Sequence, residues 1–220
     1  MMIIPLIFFL LLNHVSANLH ENRLKTYLLE NYSIHTIPSS TVQLDLGIAI
    51  RAFNNIDQVD GTLSTNVWLR QSWIDNAFKW NPIDYYNISQ ITLPTNPEYD
   101  GSIWTPDLYL YNTAEMPMHE LDKSLAVIKY DGSVFWSRPG IVKSTCVFNL
   151  ADFPYDQQTC KLKFGSWAYD SKAIYLNDEL NNSIDLGNYQ EHEEWILVDY
   201  YTKKNSIKYS CCENYYHDIE

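Results

Sequence analysis

The stretch TVQLDLGIAIRAF (residues 41–53) decides the fold class. Val42, Leu44, Leu46, Ile48, Ile50 and Ala52 alternate with Gln43, Asp45 and Arg51. In an extended chain every second side chain lies on the same face, so this stretch reads as a strand with one face on a core. NVWLRQSWID (residues 66–75) repeats the pattern, with Val67, Leu69 and Trp73 on one face and Trp68, Arg70 and Ser72 on the other. LAVIKYDGSVFWS sets Asp131-Gly132 between two strand-like runs, which is a hairpin signal. Shorter runs at residues 158–164, 195–201 and 207–211 read as further strands. Many short strands separated by turns imply an all-β sandwich or barrel. Residues 18–32 differ. Leu24, Tyr27 and Leu28 recur there at helical spacing, with Glu21, Arg23 and Lys25 largely off that stripe, which predicts one N-terminal helix. No repeat, low-complexity tract or linker interrupts the chain, so one domain is expected.

The chain opens MMIIPLIFFLLLNHVSAN. An apolar run from Ile3 to Leu12, followed by Val15-Ser16-Ala17, predicts a secretory signal peptide over residues 1–17, although no Lys or Arg precedes the run. The run is too short to cross a bilayer, and no later apolar run is long enough. Secretion places the chain where disulfides persist. Asn31, Asn87 and Asn181 each begin an Asn-X-Ser sequon and are candidate glycosylation sites. The formal net charge of −12 repels nucleic acid, which is not expected as a partner, and can steer small cations toward the surface.

The sequence offers no G-x-S-x-G, H-E-x-x-H or P-loop motif, and an enzyme is not expected. Glu191-His192-Glu193-Glu194 reads as a solvated loop rather than a cation site, because adjacent strand residues face opposite ways. No metal site and no cofactor are expected. Four cysteines allow three pairings, and their number does not choose among them. A Cys146–Cys160 bridge would enclose thirteen residues. Closing a loop of that size contributes roughly 3 kcal/mol in the chain-entropy model. The enclosed Phe153-Pro154-Tyr155-Asp156 reads as a tight turn suited to a cis proline. Cys211 and Cys212 are adjacent, so a bridge between them closes no long loop and adds little to global stability. It would stiffen a loop tip instead.

Aromatic residues make up 15% of the chain, and several stand in polar turn contexts: Tyr111 in WTPDLYLYN, Trp167 in GSWAYD, and Tyr209 and Tyr216 flanking the cysteine pair. Electron-rich ring faces attract quaternary ammonium groups, which cannot donate hydrogen bonds, and such cages recognise choline-like ligands.

RLKTYLLENY, NVWLRQSWID with KWNP, WTPDLYLYN, RPGIVKSTC, FPYDQQTC, GSWAYD and YSCC occur in this order. Together they resemble the Cys-loop receptors, in particular nicotinic acetylcholine receptor α-type subunits, over nearly the whole of residues 18–220. The resemblance implies a neurotransmitter-gated ligand-binding domain: an immunoglobulin-like twisted β-sandwich with an N-terminal α-helix, five of which form a homo- or heteropentameric ring. Acetylcholine or a similar cationic amine would bind between sibling subunits. Tyr111, Trp167, Tyr209, Cys211, Cys212 and Tyr216 match the principal face, with the cysteine pair at the tip of a capping loop. Trp68 matches the complementary face, where Phe135 and Ser137 stand at positions that often differ among neuronal-type relatives. The implied disulfides are Cys146–Cys160 and Cys211–Cys212. Lys143 and Asp218 would pair at rest, with Tyr209 drawing Lys143 away on closure; a plain surface ion pair accounts for those two residues equally well.

By the same resemblance, the chain stops where the family's last strand begins and lacks the transmembrane helices through which it would meet a membrane. Secreted acetylcholine-binding proteins are also similar. Val147, Phe148, Leu150, Phe153, Pro154 and Tyr155, however, make the Cys146–Cys160 loop apolar, which favours a receptor ectodomain at the extracellular face of the plasma membrane. A structural adhesion sandwich is the more distant alternative.

Overall fold

The computed structural model describes residues 19–115, 121–177 and 184–220. The predicted signal segment and the Asn181 sequon lie outside them; Asn31 and Asn87 are exposed. Residues 19–29 are helical (α1), with a Glu21–Lys25 ion pair of 2.8 Å on its outer side. Leu24 and Leu28 are buried in the core, whereas Tyr27, expected on the same stripe, is exposed. Tyr27 stands about 100° around the axis from Leu28, at the rim of a narrow buried stripe. There its ring lies 6.3 Å from that of Tyr85.

Eleven strands follow among the described residues: β1 (Val42–Asp57), β2 (Thr62–Lys79), β3 (Gln90–Leu93), β4 (Leu108–Leu110), β5 (Ala126–Lys129), β6 (Asp131–Thr145), β7 (Phe164–Ser166), β8 (Ile174–Asn177), β9 (Ile184–Asp185), β10 (Lys204–Lys208) and β11 (Tyr215–Ile219). The larger sheet runs β3-β5-β6-β2-β1-β8, with β9 also on β1; the smaller runs β10-β11-β7-β4. The result is a β-sandwich with an N-terminal helix. One continuous core joins Leu44, Val67, Leu69 and Val134 of the larger sheet to Leu108, Phe164 and Ile219 of the smaller.

Strand β2 follows the expected alternation closely. Leu63, Thr65, Val67, Leu69, Gln71, Trp73 and Asp75 are buried, while Trp68, Arg70 and Ser72 lie on the other face. The Trp73 ring meets that of Trp104 edge-on at 5.9 Å. Strand β1 alternates as far as Leu46 and then loses the pattern, with Gly47, Ala49 and Ile50 all buried and register shifts beyond Ile50 and Phe53. The hairpin between β5 and β6 pairs Val127 with Phe135 and Ile128 with Val134. Gly132 sits in it at φ +86°, and a Cβ there would lie 2.6 Å from the Asp75 carbonyl oxygen, so only glycine fits.

Tyr32, just beyond α1, ties the helix to the sheet. Its hydroxyl donates to Asp75 Oδ2 at 2.8 Å and accepts from the Trp104 amide at 3.1 Å. Burial pushes the Asp75 carboxyl above the usual carboxylate range, against the opposing pull of the Tyr32 hydrogen bond.

Three expected strands change. Of residues 158–164 only Phe164 enters β7, because the Asn112 side chain takes the place of a neighbouring strand. Its Oδ1 accepts from the Lys163 amide at 3.0 Å and its Nδ2 donates to the Lys161 carbonyl at 2.9 Å. The run at 207–211 shifts back to Lys204–Lys208, since the chain turns at the cysteines, where the Cys212 amide donates to the Tyr209 carbonyl at 3.1 Å. Residues 195–201 enter no ladder. They border a cavity of about 460 Å³ between the sheets, together with Ile48, Ile50, Leu69 and Ile219, and Ile196 and Val198 are exposed. Alternation alone does not make a strand without an edge to pair with.

Cys146 and Cys160 are bonded, with Cα atoms 5.1 Å apart, and Cys211 and Cys212 are bonded to each other. The first bridge encloses a cis Phe153-Pro154 peptide and exposed Val147, Phe153 and Tyr155. No described helix is long and apolar enough to cross a membrane.

Candidate functional site

The small sheet brings four of the expected aromatic residues to one end. Tyr111 follows β4, and its amide donates to the Lys163 carbonyl at 2.7 Å. Its hydroxyl donates to the Ser166 carbonyl, which fixes the ring across β7. The ring occupies the space a side chain at Gly165 would need: a Cβ there would fall 2.5 Å from Tyr111 Cζ. Burial is the main reason the Tyr111 phenol is pushed above its ordinary range, with Tyr209 and Asp218 adding negative potential nearby.

Trp167 follows β7 and is 69% exposed, an unusual state for so large an apolar ring. Its edge contact with Tyr111 has a centroid distance of 6.5 Å. Asp107 holds the turn that carries it. The Asp107 carbonyl accepts from the Trp167 amide at 3.4 Å, and its carboxylate accepts from the Ala168 amide at 2.6 Å and from the Ser166 hydroxyl. Tyr109, two residues before Tyr111, packs on Trp167 at 5.9 Å.

Tyr216 stands on β11, opposite Ile207 of β10, and Tyr209 lies just past β10. Their rings meet edge-on at 5.8 Å. β11 pairs with β7 antiparallel at Asp218↔Gly165, so two residues further along that register Tyr216 comes level with Trp167. The cysteine pair lies in the turn between Tyr209 and Tyr216. Its far side is anchored, because Asn214 Nδ2 donates to Asp170 Oδ2 at 2.6 Å and the Ser171 amide donates to the Tyr215 carbonyl at 2.8 Å.

The expected pairing of Lys143 with Asp218 is not what the structure contains. Lys143, on β6 of the larger sheet, bonds Glu115 at 2.7 Å. Asp218, on β11 of the smaller sheet and 1% exposed, takes Lys163 at 3.3 Å and Asn205 Nδ2 at 2.8 Å. The reason is register. Asp218 lies opposite Gly165, two residues from Lys163 on the adjoining segment. The Lys163 ammonium also stands 6.0 Å from the Tyr111 ring centroid.

Trp68, Phe135 and Ser137 lie elsewhere. All three are on the outer face of the larger sheet, where Arg70 pairs with Ser137 and Ser72 with Phe135. Among the described residues no ring contact joins Trp68 to the four aromatics of the smaller sheet. The large cavity between the sheets is not lined by these aromatics either. Exposed Trp167 and Tyr209 thus stand beside half-buried Tyr111 and Tyr216, an arrangement of rings able to offer π faces to a cation. No described group of three or more His, Cys, Asp or Glu is placed to hold a metal ion.

Residues 21–220 match the family model of the neurotransmitter-gated ion-channel ligand binding domain. The chain belongs to that family. It is a binding domain and not an enzyme. Its relatives include the neuronal acetylcholine receptor subunit alpha-3 of Rattus norvegicus, 37% identical over 208 residues, with 93% of this chain and 40% of the relative covered. The alpha-6 subunit of Homo sapiens is 36% identical over 203 residues, covering 90% of this chain and 40% of that protein. The alpha-2 subunit of Gallus gallus is also 36% identical over 203 residues, covering 90% and 37% respectively. The chain thus spans about two fifths of the length of these relatives.

Four residues that hold or flank this aromatic set were not among those expected from the sequence: Asp107, Tyr109, Lys163 and Gly165. Tyr109 was signalled, since it stands two positions before Tyr111, with only Leu110 between them. Asp107 sits inside the same WTPDLYLYN stretch, but nothing local ties it to the Trp167 turn. Gly165 and Lys163 depend on which strand lies beside β7, which only the folded register reveals.

Proposed function

We propose that this chain is the extracellular ligand-binding domain, residues 18–220 after a signal peptide of residues 1–17, of an acetylcholine-gated ion channel subunit. In this reading acetylcholine or a related cationic amine binds between neighbouring subunits of a pentamer. The observation that carries the reading is the exposed Trp167, backed by Tyr111 and level with the Tyr209–Tyr216 pair. A quaternary ammonium has no hydrogen bond to offer, and each cation–π contact contributes roughly 0.5–2 kcal/mol, more when water is excluded. Cys211–Cys212 caps the site from above, and Trp68 of a neighbouring copy, flanked by Phe135 and Ser137, supplies the complementary wall.

Ligand favours the closed position of the capping loop because only that position completes the enclosure, and this differential contact is what shifts a coupled pore. Lys163 takes the part first expected of Lys143. Drawn between Asp218 and Tyr209, it relays closure of the loop to β7 and β11. The exposed apolar residues of the Cys146–Cys160 loop favour a receptor over a secreted binder, since such a surface calls for a partner. Localisation at the extracellular face of the plasma membrane follows from that reading.

The test compares acetylcholine titrations of wild type, Trp167→Ala and Trp80→Ala, read by tryptophan fluorescence. Trp167→Ala folds and loses binding. Trp80, buried and donating to the Ile88 carbonyl at 2.7 Å, is a folding residue, so Trp80→Ala loses stability first. Wild-type affinity in folded Trp167→Ala would refute the assignment.

A further inference from the structure

Trp68, the complementary wall in the reading above, already carries a cation. The Arg51 guanidinium carbon lies 4.6 Å from the centroid of its ring. This placement comes from an irregularity in β1. Ile50 pairs with Val67 and Ala52 with Asn66, which leaves Arg51 as an extra residue with no partner on β2. A bulge of this kind re-aims the side chain of the strand that carries it. The Gln190 amide donates to the Arg51 carbonyl at 2.8 Å and so fixes the bulge from the other side of the strand's edge.

The nearby acid does not draw Arg51 away from the ring. Asp185, which faces Ala49 across the β1–β9 ladder, is bonded to Arg70 at 2.8 Å and accepts from the Gly187 amide at 2.8 Å. The Gly187 amide and Arg70 hold its carboxyl below the usual range, with Arg51 contributing from further off. Arg51, Arg70 and Asp185 together leave a positive charge beside Trp68.

We propose that Arg51 is a built-in cation that occupies Trp68 against a cationic ligand, so that this chain presents a weak complementary face for amines. It serves best as the principal partner of a neighbour that lacks such an arginine. The inference rests on the aromatic reading given above. A second cation approaching the same ring meets a π face already polarised toward Arg51, and a like charge in a partly desolvated interface.

The experiment is a double-mutant cycle on the full chain, with acetylcholine as the probe and calorimetry as the readout. Arg51→Gln tightens binding by about tenfold, the scale of one cation–π contact. Trp68→Ala then costs at least about fivefold more affinity in the Arg51→Gln background than with Arg51 present. An equal loss in both backgrounds, or no gain from Arg51→Gln, overturns the inference. A ligand-free arm measures iodide quenching of the Trp68 component, taken as the difference from Trp68→Phe. That quenching falls in Arg51→Gln, and unchanged quenching overturns the stacking itself. Binding that is lost in Trp167→Ala yet indifferent to Arg51 refutes the inference alone. Absence of acetylcholine binding in every variant refutes the aromatic reading and the inference together.

Discussion

Gly165 shows how one missing side chain shapes the candidate site. The Tyr111 ring fills the volume beside it, and a methyl group there would lie 2.5–2.7 Å from two ring carbons and the hydroxyl oxygen of that side chain. Gly165→Ala should therefore displace Tyr111, cost about 1–3 kcal/mol as an overpacked contact, and weaken acetylcholine binding. Thermal melts and titration check both effects, and an unchanged affinity would show that Tyr111 takes no part in binding. Asp75 gives a prediction in pH. Its folded carboxyl is raised by burial, so its contribution is favourable below the unfolded value of about 3.9 and is lost as pH rises through the folded value. Asp75→Asn should gain stability relative to wild type as pH rises above about 3.9. Denaturant unfolding across that range measures it; the opposite trend would mean that the Tyr32 hydrogen bond outweighs burial. At this scale the rings were legible because each stands in a distinctive local stretch. The ion pair was not. The resemblance pointed to Lys143, whereas the pairing of Asp218 with Gly165 brings Lys163 to the carboxylate.

The elements differ in how far sequence foretold them. β2 was readable from its alternation because it keeps one face on the core from Leu63 to Asp75. Residues 195–201 alternate as well and still enter no ladder, since strand formation needs a neighbour that periodicity does not name. Helix α1 docks through Leu24, which is fully buried, so Leu24→Ala should cost about 2–5 kcal/mol and be visible in chemical unfolding. A loss below half a kilocalorie per mole would mean that α1 is peripheral to the fold. The two disulfides should separate cleanly. Replacing Cys146 and Cys160 by serine opens a loop enclosing thirteen residues and should cost roughly 3 kcal/mol, while replacing Cys211 and Cys212 opens none. The second pair of substitutions should weaken ligand capture with little change in unfolding midpoint. Equal stability losses would mean that the vicinal bridge supports the fold.

Across the whole molecule, the two sheets carry the two halves of the proposed site on different surfaces. The principal rings stand at one end of the smaller sheet, and Trp68 stands on the outer face of the larger. In the proposed reading no single copy completes the enclosure, and a ring of subunits does. The net charge of −12 adds a general attraction for cations that falls with ionic strength. In the proposed reading positive charge, not shape, is what the aromatic set recognises. The direct measurement compares acetylcholine with 3,3-dimethylbutyl acetate, its uncharged carbon isostere, by calorimetry on wild type and Trp167→Ala. Wild type should prefer acetylcholine by about tenfold or more, on the order of one to two cation–π contacts, and Trp167→Ala should abolish the preference. Equal binding of the two esters by wild type, or a preference that survives in Trp167→Ala, would contradict it.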